Sequence, residues 1–395
     1  MLFKKRMTAV LLASTIGAAG FLAGCGSDSA GGGESGDTVK IGANLELSGA
    51  VASYGEGIAE GIELAVDEIN KDGGIDGKEI EIVKVDNKSD AAEATNAAIK
   101  LTENDDVVAI IGSATSGNTV AQAQVANNSE TVLLSPSGTS PNVTVNDDGS
   151  LNDFVFRTSF IDPFQGTVAA NFAANELGVK NVAIYADNAS DYAKGLAASF
   201  KETFEAAGGK IVAEESYVAK DTDFRSTLTR IKSANPEFIF IPGYYEEVGL
   251  IVKQGREMGI DVPLMGADGW DSPKLVELAG GDSLNNTFIT NHYSSGDPDE
   301  TIQSFVTKFG EKYNGSSPDA FNALGYDSVY MLKDAMERAE STSDAKKIKD
   351  ALSETKDLTL VTGIISVDED HNPIKSATVL EYKDGEQVFK TKVNP

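Results

Sequence analysis

Small hydroxyl residues follow two neighbouring apolar runs in the first half of the chain. Ser116 lies in the loop after one run, and Ser137 and Thr139 follow the next. We predict that Ser116 N-caps a helix starting near Gly117, where free backbone N–H groups and a hydroxyl form a cradle for a carboxylate. A serine at a helix start more often only caps the helix, so the hypothesis depends on the second hydroxyl cluster.

Two further loops carry an aromatic and an acidic residue in the second half of the chain. Tyr244 follows the apolar run 238–241, and Asp268 lies between glycines just before Trp270, the only tryptophan. Taken alone, a tyrosine in this position more often packs in the core, and an aspartate in a turn more often serves the turn. Asp268 is therefore a candidate binding residue because of its neighbours.

Strand-length apolar runs alternate with helical periodicity from residue 38 onward, which predicts βαβ units on parallel sheets. A strand at 39–45 and a helix with apolar residues up to Ile69 begin the first series, and the pattern restarts after Arg157. We expect an α/β fold of two doubly wound Rossmann-like lobes. Helical sequence from 301 to 339 is interrupted near 315–318, and strands close the chain at 363–367 and 376–382. Ligands bind beyond the carboxyl ends of the strands of such sheets, which is where the hydroxyl and acidic loops lie.

Composition and charge exclude several classes of function. The chain has 395 residues with 33 Lys and Arg against 61 Asp and Glu, a net charge of −28. Such a surface repels phosphate backbones and anionic lipid headgroups, so we expect no nucleic-acid partner. Two His and one Cys exclude structural zinc and iron–sulfur centres and an intramolecular disulfide, and we expect no metal and no cofactor.

The first residues have the pattern of an export signal. Lys4, Lys5 and Arg6 precede an apolar stretch, 7–22, that is too short to span a bilayer comfortably. Small residues then lead to Cys25, which resembles the lipobox of bacterial lipoproteins and implies lipidation of that thiol. We therefore assign 1–24 to a signal peptide and 25–37 to the lipidated cysteine and a Gly- and Ser-rich tether reaching on the order of 20 Å. The expected location is the extracytoplasmic side of the cell membrane, held by the lipid anchor.

From about residue 38 to the end, the chain resembles the leucine/isoleucine/valine-binding protein family. The motifs that carry the resemblance occur in order: Leu47-Ser48-Gly49 with Tyr54-Gly55, Gly73-Gly74-Ile75, Ile110-Ile111-Gly112 with Ser116, Ser135-Pro136 with Thr139, Gly243-Tyr244, and Gly266 with Asp268-Gly269. The resemblance implies the type I periplasmic-binding fold, with the ligand in the cleft between two lobes joined by a three-segment hinge. It implies an N-terminal lobe of 38–158 plus 291–362, a C-terminal lobe of 159–290 plus 363–395, and crossovers near 157–160, 290–293 and 362–363.

The same resemblance implies roles for individual residues. Ser116, with the N–H and hydroxyl of Thr139, would hold the α-carboxylate of an amino acid. The carbonyl of Ser137, the hydroxyl of Thr139 and the carboxylate of Asp268 would hold its α-ammonium. The ligand side chain would be enclosed by Tyr54, Ala114, Tyr192, Tyr244 and Phe321. The chain departs from the family pattern at two positions of one loop. The family commonly has Glu where this chain has Asp268, and the bulky Trp270, a further expected ligand contact, follows it. A small ligand such as alanine or valine is therefore as plausible as leucine.

The resemblance implies a receptor of an ABC importer, and not an enzyme. Only His292 and His371 are available for a nucleophilic triad, and no Gly-x-Ser-x-Gly turn surrounds Ser116. The expected partners are a small neutral L-amino acid, first of all a branched-chain one, and the importer's permease and ATPase subunits, with the protein as a monomer. Two alternatives remain: a membrane-tethered amino-acid sensor, and the same fold binding an amide, urea or an aromatic acid.

Overall fold

Two β-sheets of like topology organise residues 38–394, the part of the chain that the structure, a computed structural model, describes. The first sheet is parallel throughout, in the order β2-β1-β3-β4-β5. Its strands are β1 Thr38–Leu45, β2 Glu79–Asp86, β3 Ala109–Gly112, β4 Val132–Ser135 and β5 Val155–Arg157. Every residue of β3 and β4 is buried, as expected for strands covered by helices on both faces.

The second sheet repeats this order and then extends it. Its parallel strands run β7-β6-β8-β9-β10, and two antiparallel strands, β14 and β15, complete it beside β10. The strands after the first sheet are β6 Asn181–Asp187, β7 Lys210–Tyr217, β8 Phe238–Phe240, β9 Leu264–Gly266, β10 Thr287–Asn291, β11 Leu358–Leu360, β12 Gly363–Val367, β13 Pro373–Ile374, β14 Ala377–Lys383 and β15 Glu386–Val393. Strands β11 to β13 form a small antiparallel sheet of their own. The predicted α/β class with two doubly wound sheets is confirmed. The closing strands predicted at 363–367 and 376–382 are present as β12 and β14, but their antiparallel pairing was not predicted.

The helices cover the faces of these sheets. They are α1 Ala52–Lys71, α2 Ala91–Glu103, α3 Ser116–Ser129, α4 Asp162–Asn171, α5 Asp191–Ala206, α6 Arg225–Ser233, α7 Tyr245–Glu257, α8 Pro273–Ala279, α9 Glu300–Lys312, α10 Ala320–Arg338 and α11 Ala345–Ser353. We call the first sheet with α1–α3, α9–α11 and the small sheet the first lobe, and the second sheet with α4–α8 the second lobe. Within 38–394, none of these helices has the length and hydropathy that a bilayer crossing requires.

The predicted interruption of the long helical stretch is confirmed. Helix α9 ends before Asn314 and Gly315, both of which have positive φ angles, and Pro318 precedes the next helix. Helix α10 then begins with a capping box, in which the Asp319 side chain accepts from the Asn322 backbone and the Asn322 side chain accepts from the Asp319 backbone. This start places Phe321, the second residue of α10, at the cleft.

The chain passes between the lobes at three places, and the third lies at different residues from those expected from the sequence. The first two passages follow β5, at Thr158, and β10, at His292. The sequence analysis placed the third at 362–363, but the structure places it at 375–376, after β13. Strands β12 and β13 stay with the first lobe because the turn between them packs there: the His371 ring stacks on Phe156 with centroids 4.0 Å apart. The sequence analysis identified the strand at 363–367 but not its partners β11 and β13, which have three and two residues, so its place in a small antiparallel sheet was not predicted.

Candidate functional site

A cavity lies between the two lobes, at the carboxyl ends of their strands. Strand order reverses around β1 in the first lobe and around β6 in the second, and such a reversal in an open α/β sheet leaves a crevice for a ligand. The cavity is where the two crevices meet. Its walls are formed by Tyr54, Ala114, Thr115, Ser116, Ser137, Tyr192, Tyr244, Asp268, Gly269 and Phe321.

Eight of the residues that the sequence analysis named for a ligand lie in these walls. The structure adds Thr115 and Gly269 to them. Two named residues, Thr139 and Trp270, lie outside the walls. The first lobe contributes through the exits of β3 and β4 and the starts of α1 and α10, and the second lobe through the start of α5 and the exits of β8 and β9.

Ser116 does not cap its helix, contrary to the sequence prediction. Helix α3 begins at Ser116 itself, and Thr115 occupies the N-cap position without a side-chain capping bond. The Ser116 hydroxyl instead accepts from the backbone N–H of Ser140 at 3.1 Å, which ties the exits of β3 and β4 together. Because the first N–H groups of a helix have no partner within it, the start of α3 brings N–H groups and this hydroxyl to the cavity.

Glu46 holds this loop in place and was missed by the sequence analysis. Its fully buried carboxylate accepts from the backbone N–H groups of Ala114, at 2.9 Å, and Thr115, at 3.1 Å. It also accepts from the side-chain amide of Asn118 at 2.8 Å. Glu46 thus fixes the loop that leads into α3 and leaves the first N–H groups of the helix free of side-chain capping bonds. The signal in the sequence was an acidic residue between Leu45 and Leu47, at the end of the first strand.

Stacked aromatic pairs form two opposing walls. In the first lobe the rings of Tyr54 and Phe321 are stacked with centroids 4.2 Å apart, and in the second lobe Tyr192 and Tyr244 are stacked at 5.1 Å. Tyr54 meets Tyr244 edge-on at 5.9 Å. Burial raises the pKa of Tyr54, Tyr192 and Tyr244 above the usual value for a phenol, so these walls are uncharged at neutral pH.

Asp268 presents a buried carboxylate to the cavity, in contact with four polar neighbours. Its Oδ1 atom accepts from the Tyr192 hydroxyl at 2.7 Å, from Gln165 Nε2 at 3.0 Å and from the Gly269 N–H at 3.1 Å. Its Oδ2 atom lies 3.1 Å from Nε2 of His292. The carboxylate is therefore fixed in orientation, because donors from three different elements hold it.

His292 and Gln165 were not identified as site residues from the sequence. His292 lies where the chain leaves β10, its ring stacks on Phe160 at 3.9 Å, and burial lowers its pKa despite the opposing effect of Asp268. The imidazole is therefore neutral at pH 7 and donates to Asp268 from Nε2. Gln165 lies on α4 and accepts from the Asp268 N–H at 2.9 Å through Oε1, so it holds both the backbone and the side chain of that residue.

Trp270 lies behind the acidic loop, contrary to the expectation that it contacts the ligand. The indole is fully buried, and its Nε1 donates to the carbonyl of Ile241 at 2.9 Å. Residues 268–270 form a single 3-10 turn, which directs Asp268 into the cavity and the indole into the core. The ring packs directly over Gly266, where a Cβ atom would lie 2.1 Å from the indole nitrogen. The tryptophan therefore supports the loop.

Direct contacts between the lobes surround the cavity. The Tyr54 hydroxyl donates to the carbonyl of Gly269 and accepts from the backbone N–H of Tyr245 at 3.3 Å. The hydroxyls of Ser53 and Ser272 lie 2.8 Å apart. These contacts join the start of α1 to the exits of β8 and β9, so the lobes are closed on each other around the cavity.

Comparisons with known proteins agree with this architecture. The sequence matches the profile of the periplasmic binding protein family over residues 38–387. The Leu/Ile/Val-binding protein BraC3 of Rhizobium johnstonii is 30% identical over 331 residues, which cover 84% of this chain and 88% of the relative. The structure of the branched-chain amino acid transporter substrate-binding protein LivJ of Streptococcus pneumoniae, in complex with isoleucine, is 42% identical with a TM-score of 0.85 and covers 91% of this chain and 100% of that one. The leucine-binding protein LivK of Thermotoga maritima is 36% identical with a TM-score of 0.84, over 90% and 99% of the two chains.

The profile match spans both lobes, and the similarity to LivJ and LivK covers nine-tenths of the chain at close structural agreement. The chain therefore belongs to the periplasmic binding protein family, among the leucine-, isoleucine- and valine-binding proteins, which are solute-binding proteins of ABC transporters and not enzymes.

Proposed function

We propose that this protein captures a branched-chain L-amino acid, with alanine as a smaller alternative, and delivers it to the permease of an ABC importer. One observation carries the proposal: a buried carboxylate, Asp268, faces a cluster of hydroxyls and helix N–H groups across a cavity with aromatic walls. A free α-amino acid has a carboxylate and an ammonium on one carbon. Its receptor needs donors and an anion a few ångströms apart.

The carboxylate of the ligand would bind at the start of α3. The Ser116 hydroxyl and the first N–H groups of the helix are the donors, together with the N–H of Thr139, and the helix dipole favours a negative charge there. Among the described residues, no basic side chain lines the cavity. The helix dipole and these donors would therefore stabilise the negative charge of the ligand carboxylate. The proposal is supported by the way Glu46 and Ser140 fix the two loops before a ligand arrives.

The ammonium of the ligand would bind between Asp268 of the second lobe and the loop after β4 of the first lobe. Asp268 supplies the negative charge, and the carbonyl of Ser137 and the hydroxyl of Thr139 supply further acceptors. Tyr54 and Phe321 on one side, and Tyr192 and Tyr244 on the other, would enclose an aliphatic side chain with Ala114. A ligand held by both lobes favours the closed form over the open one, and the difference in affinity is what shifts the equilibrium. We propose that the importer recognises the closed form.

The proposed location of the protein depends on the sequence pattern before residue 38. The signal peptide 1–24 and the lipidated Cys25 lie outside the described residues, so the anchor is proposed from the sequence pattern alone. An anchored receptor with a short tether would keep the lobes close to the permease on the extracytoplasmic side of the membrane. The high negative charge of the chain makes a lipid anchor the appropriate attachment to an anionic bilayer.

A thermal-shift screen of the soluble chain from residue 26 tests the ligand, since 37–395 forms a compact unit. Leucine, isoleucine and valine should raise the melting temperature, because a ligand at a hundredfold excess over Kd stabilises the native state by about 2.7 kcal/mol. Urea and benzoate, which lack the ammonium, are the controls and should have no effect. Stabilisation by benzoate but by no amino acid would contradict the proposal. Stimulation of ATPase activity in a reconstituted importer separates delivery to a permease from sensing.

A further inference from the structure

Asp162 is a buried acid next to the proposed ligand site that the proposed function does not use. It is the first residue of α4 and fully buried, and its backbone N–H donates to the carbonyl of Thr139 at 3.0 Å. Neither of its carboxyl oxygens makes a hydrogen bond of ordinary geometry among residues 38–394, and the same holds for the Thr139 hydroxyl oxygen, although that hydroxyl lies close enough to Asp162 to favour its charged form. Burying polar groups without partners is costly, so two such groups side by side indicate an arrangement that a ligand completes.

The charged and titratable groups that face Asp162 come from several elements. Arg157 at the end of β5 is the basic one, but its terminal nitrogens are committed to the carbonyls of Gly138, at 2.7 Å, and Ser140, at 2.9 Å. Asp268 is the acidic one. It lies close to α4, the helix of Asp162, because its carboxylate accepts from Gln165 of that helix.

Two phenols complete these surroundings. Burial raises the pKa values of the Tyr192 and Tyr244 hydroxyls, and the nearby Asp162 raises them further. His292 and Lys375 lie on the hinge side, where His292 contacts Asp268 and not Asp162. Asp162 therefore has two phenols and a second acid around it, and one cation whose terminal nitrogens are engaged and whose Nε has no hydrogen-bond partner among residues 38–394.

An uncharged carboxyl fits these surroundings when the site is empty. Burial raises the pKa of Asp162 well above the usual value, and Asp268 raises it further, while the Thr139 hydroxyl and Arg157 oppose the shift only in part. An ammonium that donates to the Thr139 oxygen changes this balance in two ways. It adds a positive charge beside both acids, and it leaves the Thr139 hydroxyl hydrogen in need of an acceptor, which the Asp162 carboxylate can be.

We propose that Asp162 is the second acid of the ligand site, protonated when the site is empty and ionised when an ammonium is bound through Thr139. On binding, the O–H bond of the Asp162 carboxyl breaks, its proton passes to bulk water before the lobes close, and the resulting carboxylate accepts from the Thr139 hydroxyl. Capture of an amino acid is thereby coupled to release of a proton. This inference rests on the proposed function, because it requires a ligand with an ammonium group.

Two consequences follow for binding. Affinity rises with pH across the range in which Asp162 is protonated in the empty protein, by up to tenfold per pH unit. The site also discriminates against ligands without an ammonium, because they add no positive charge beside Asp162 and so do not stabilise its ionised form.

Isothermal titration calorimetry of the soluble chain with isoleucine tests the coupling. Titrations at one pH in phosphate and in Tris, which differ in ionisation enthalpy, give the number of protons released. We expect up to one proton for the wild-type protein and about zero for Asp162→Asn, which keeps the shape but has no proton to lose. Thr139→Val should also abolish the release, and Thr139→Ser, which keeps the hydroxyl, should restore it.

The controls distinguish a failure of the proposed role of Asp162 from a failure of the proposed function. Glu247→Gln removes a different buried acid of the second lobe and should leave proton release unchanged. Circular dichroism checks that each variant is folded. Isoleucine binding with no proton release in the wild-type protein, or with the same release in Asp162→Asn, would overturn the role of Asp162 and leave the proposed function standing. No binding of any amino acid by the wild-type protein would instead overturn the proposed function.

Discussion

Asp268 already accepts from three donors and faces a neutral imidazole before any ligand is present. Such preorganisation means that the carboxylate loses little freedom on binding, so its attraction for an ammonium is retained in the affinity. Gln165 and His292, which provide much of this support, lie about a hundred and about two dozen residues away in the sequence. The identity of the acid could be predicted from its loop, but its support could not, because the supporting contacts are long-range.

Replacing Asp268 tests directly whether its carboxylate binds the ligand ammonium. We expect Asp268→Ala to weaken amino-acid binding by about 2–5 kcal/mol, because a buried ammonium loses its counter-ion. Asp223→Ala removes the same charge from an exposed position in the second lobe and is the matched control, with affinity unchanged. Calorimetric titration of both variants gives the difference. Near-native affinity in Asp268→Ala would remove this residue from the ligand site.

At the scale of elements, the packing of α1 on α10 positions one aromatic wall. Gly61 of α1 and Gly325 of α10 let the two backbones approach closely. A Cβ atom on Gly61 would lie 1.9 Å from the carbonyl oxygen of Asn322, and one on Gly325 would lie 2.3 Å from that of Ile58. Since Phe321 begins α10 and Tyr54 begins α1, the same contact brings their rings together.

Gly61→Ala should therefore destabilise the protein although alanine favours helices. We expect a loss of about 1–3 kcal/mol in the free energy of unfolding, because the backbones must move apart. Gly310→Ala in α9 is the control, since its Cβ would meet its nearest neighbour at 3.7 Å, an ordinary contact, and should be neutral or slightly stabilising. Denaturant titration measures both variants. Equal stability of the two would contradict this account of the α1–α10 contact.

At the scale of the whole molecule, Lys375 lies where the chain passes between the lobes for the third time. Its Nζ donates to the carbonyl of Thr158, at the first passage, at 3.3 Å and to the hydroxyl of Thr362. Burial lowers the pKa of Lys375 to about 7, and the charge of Asp327 opposes that shift only in part. The hinge is thus held by an amine that is partly uncharged at neutral pH.

This lowered pKa predicts a pH dependence of stability. The unfolded chain keeps the Lys375 proton up to about pH 10.5, and the folded protein only up to about pH 7. The unfolded state binds more protons between these values, so the contribution of Lys375 to stability rises with pH from 7 to 10.5 and is fully unfavourable below 7. Relative to Lys375→Met, the wild-type free energy of unfolding should gain on the order of 3–4 kcal/mol across that window.

Denaturant titrations at several pH values from 6 to 10 measure the difference between wild type and Lys375→Met. Lys253→Met, which removes an exposed lysine of α7 that does not act on the Lys375 pKa, should give a profile parallel to that of the wild type. A wild-type profile parallel to that of Lys375→Met would show that the buried amine does not titrate in this range.

The sequence by itself determined the class of fold and the loops at which a ligand could bind. Periodicity reports burial on one helix face or along one strand, so the elements and their parallel order were predictable, and hydroxyls and an acid at strand exits marked the loops. Ser116, Tyr244 and Asp268 could therefore be named in advance.

Only the tertiary structure decided how these loops are oriented and what holds them. A single turn separates Asp268, in the cavity, from Trp270, in the core, and Glu46 holds the loop before α3 where a capping bond from Ser116 was expected. Asp162 became notable only once burial left its carboxyl without a partner. These outcomes depend on contacts between residues that are distant along the chain, and no local pattern of residue types encodes them.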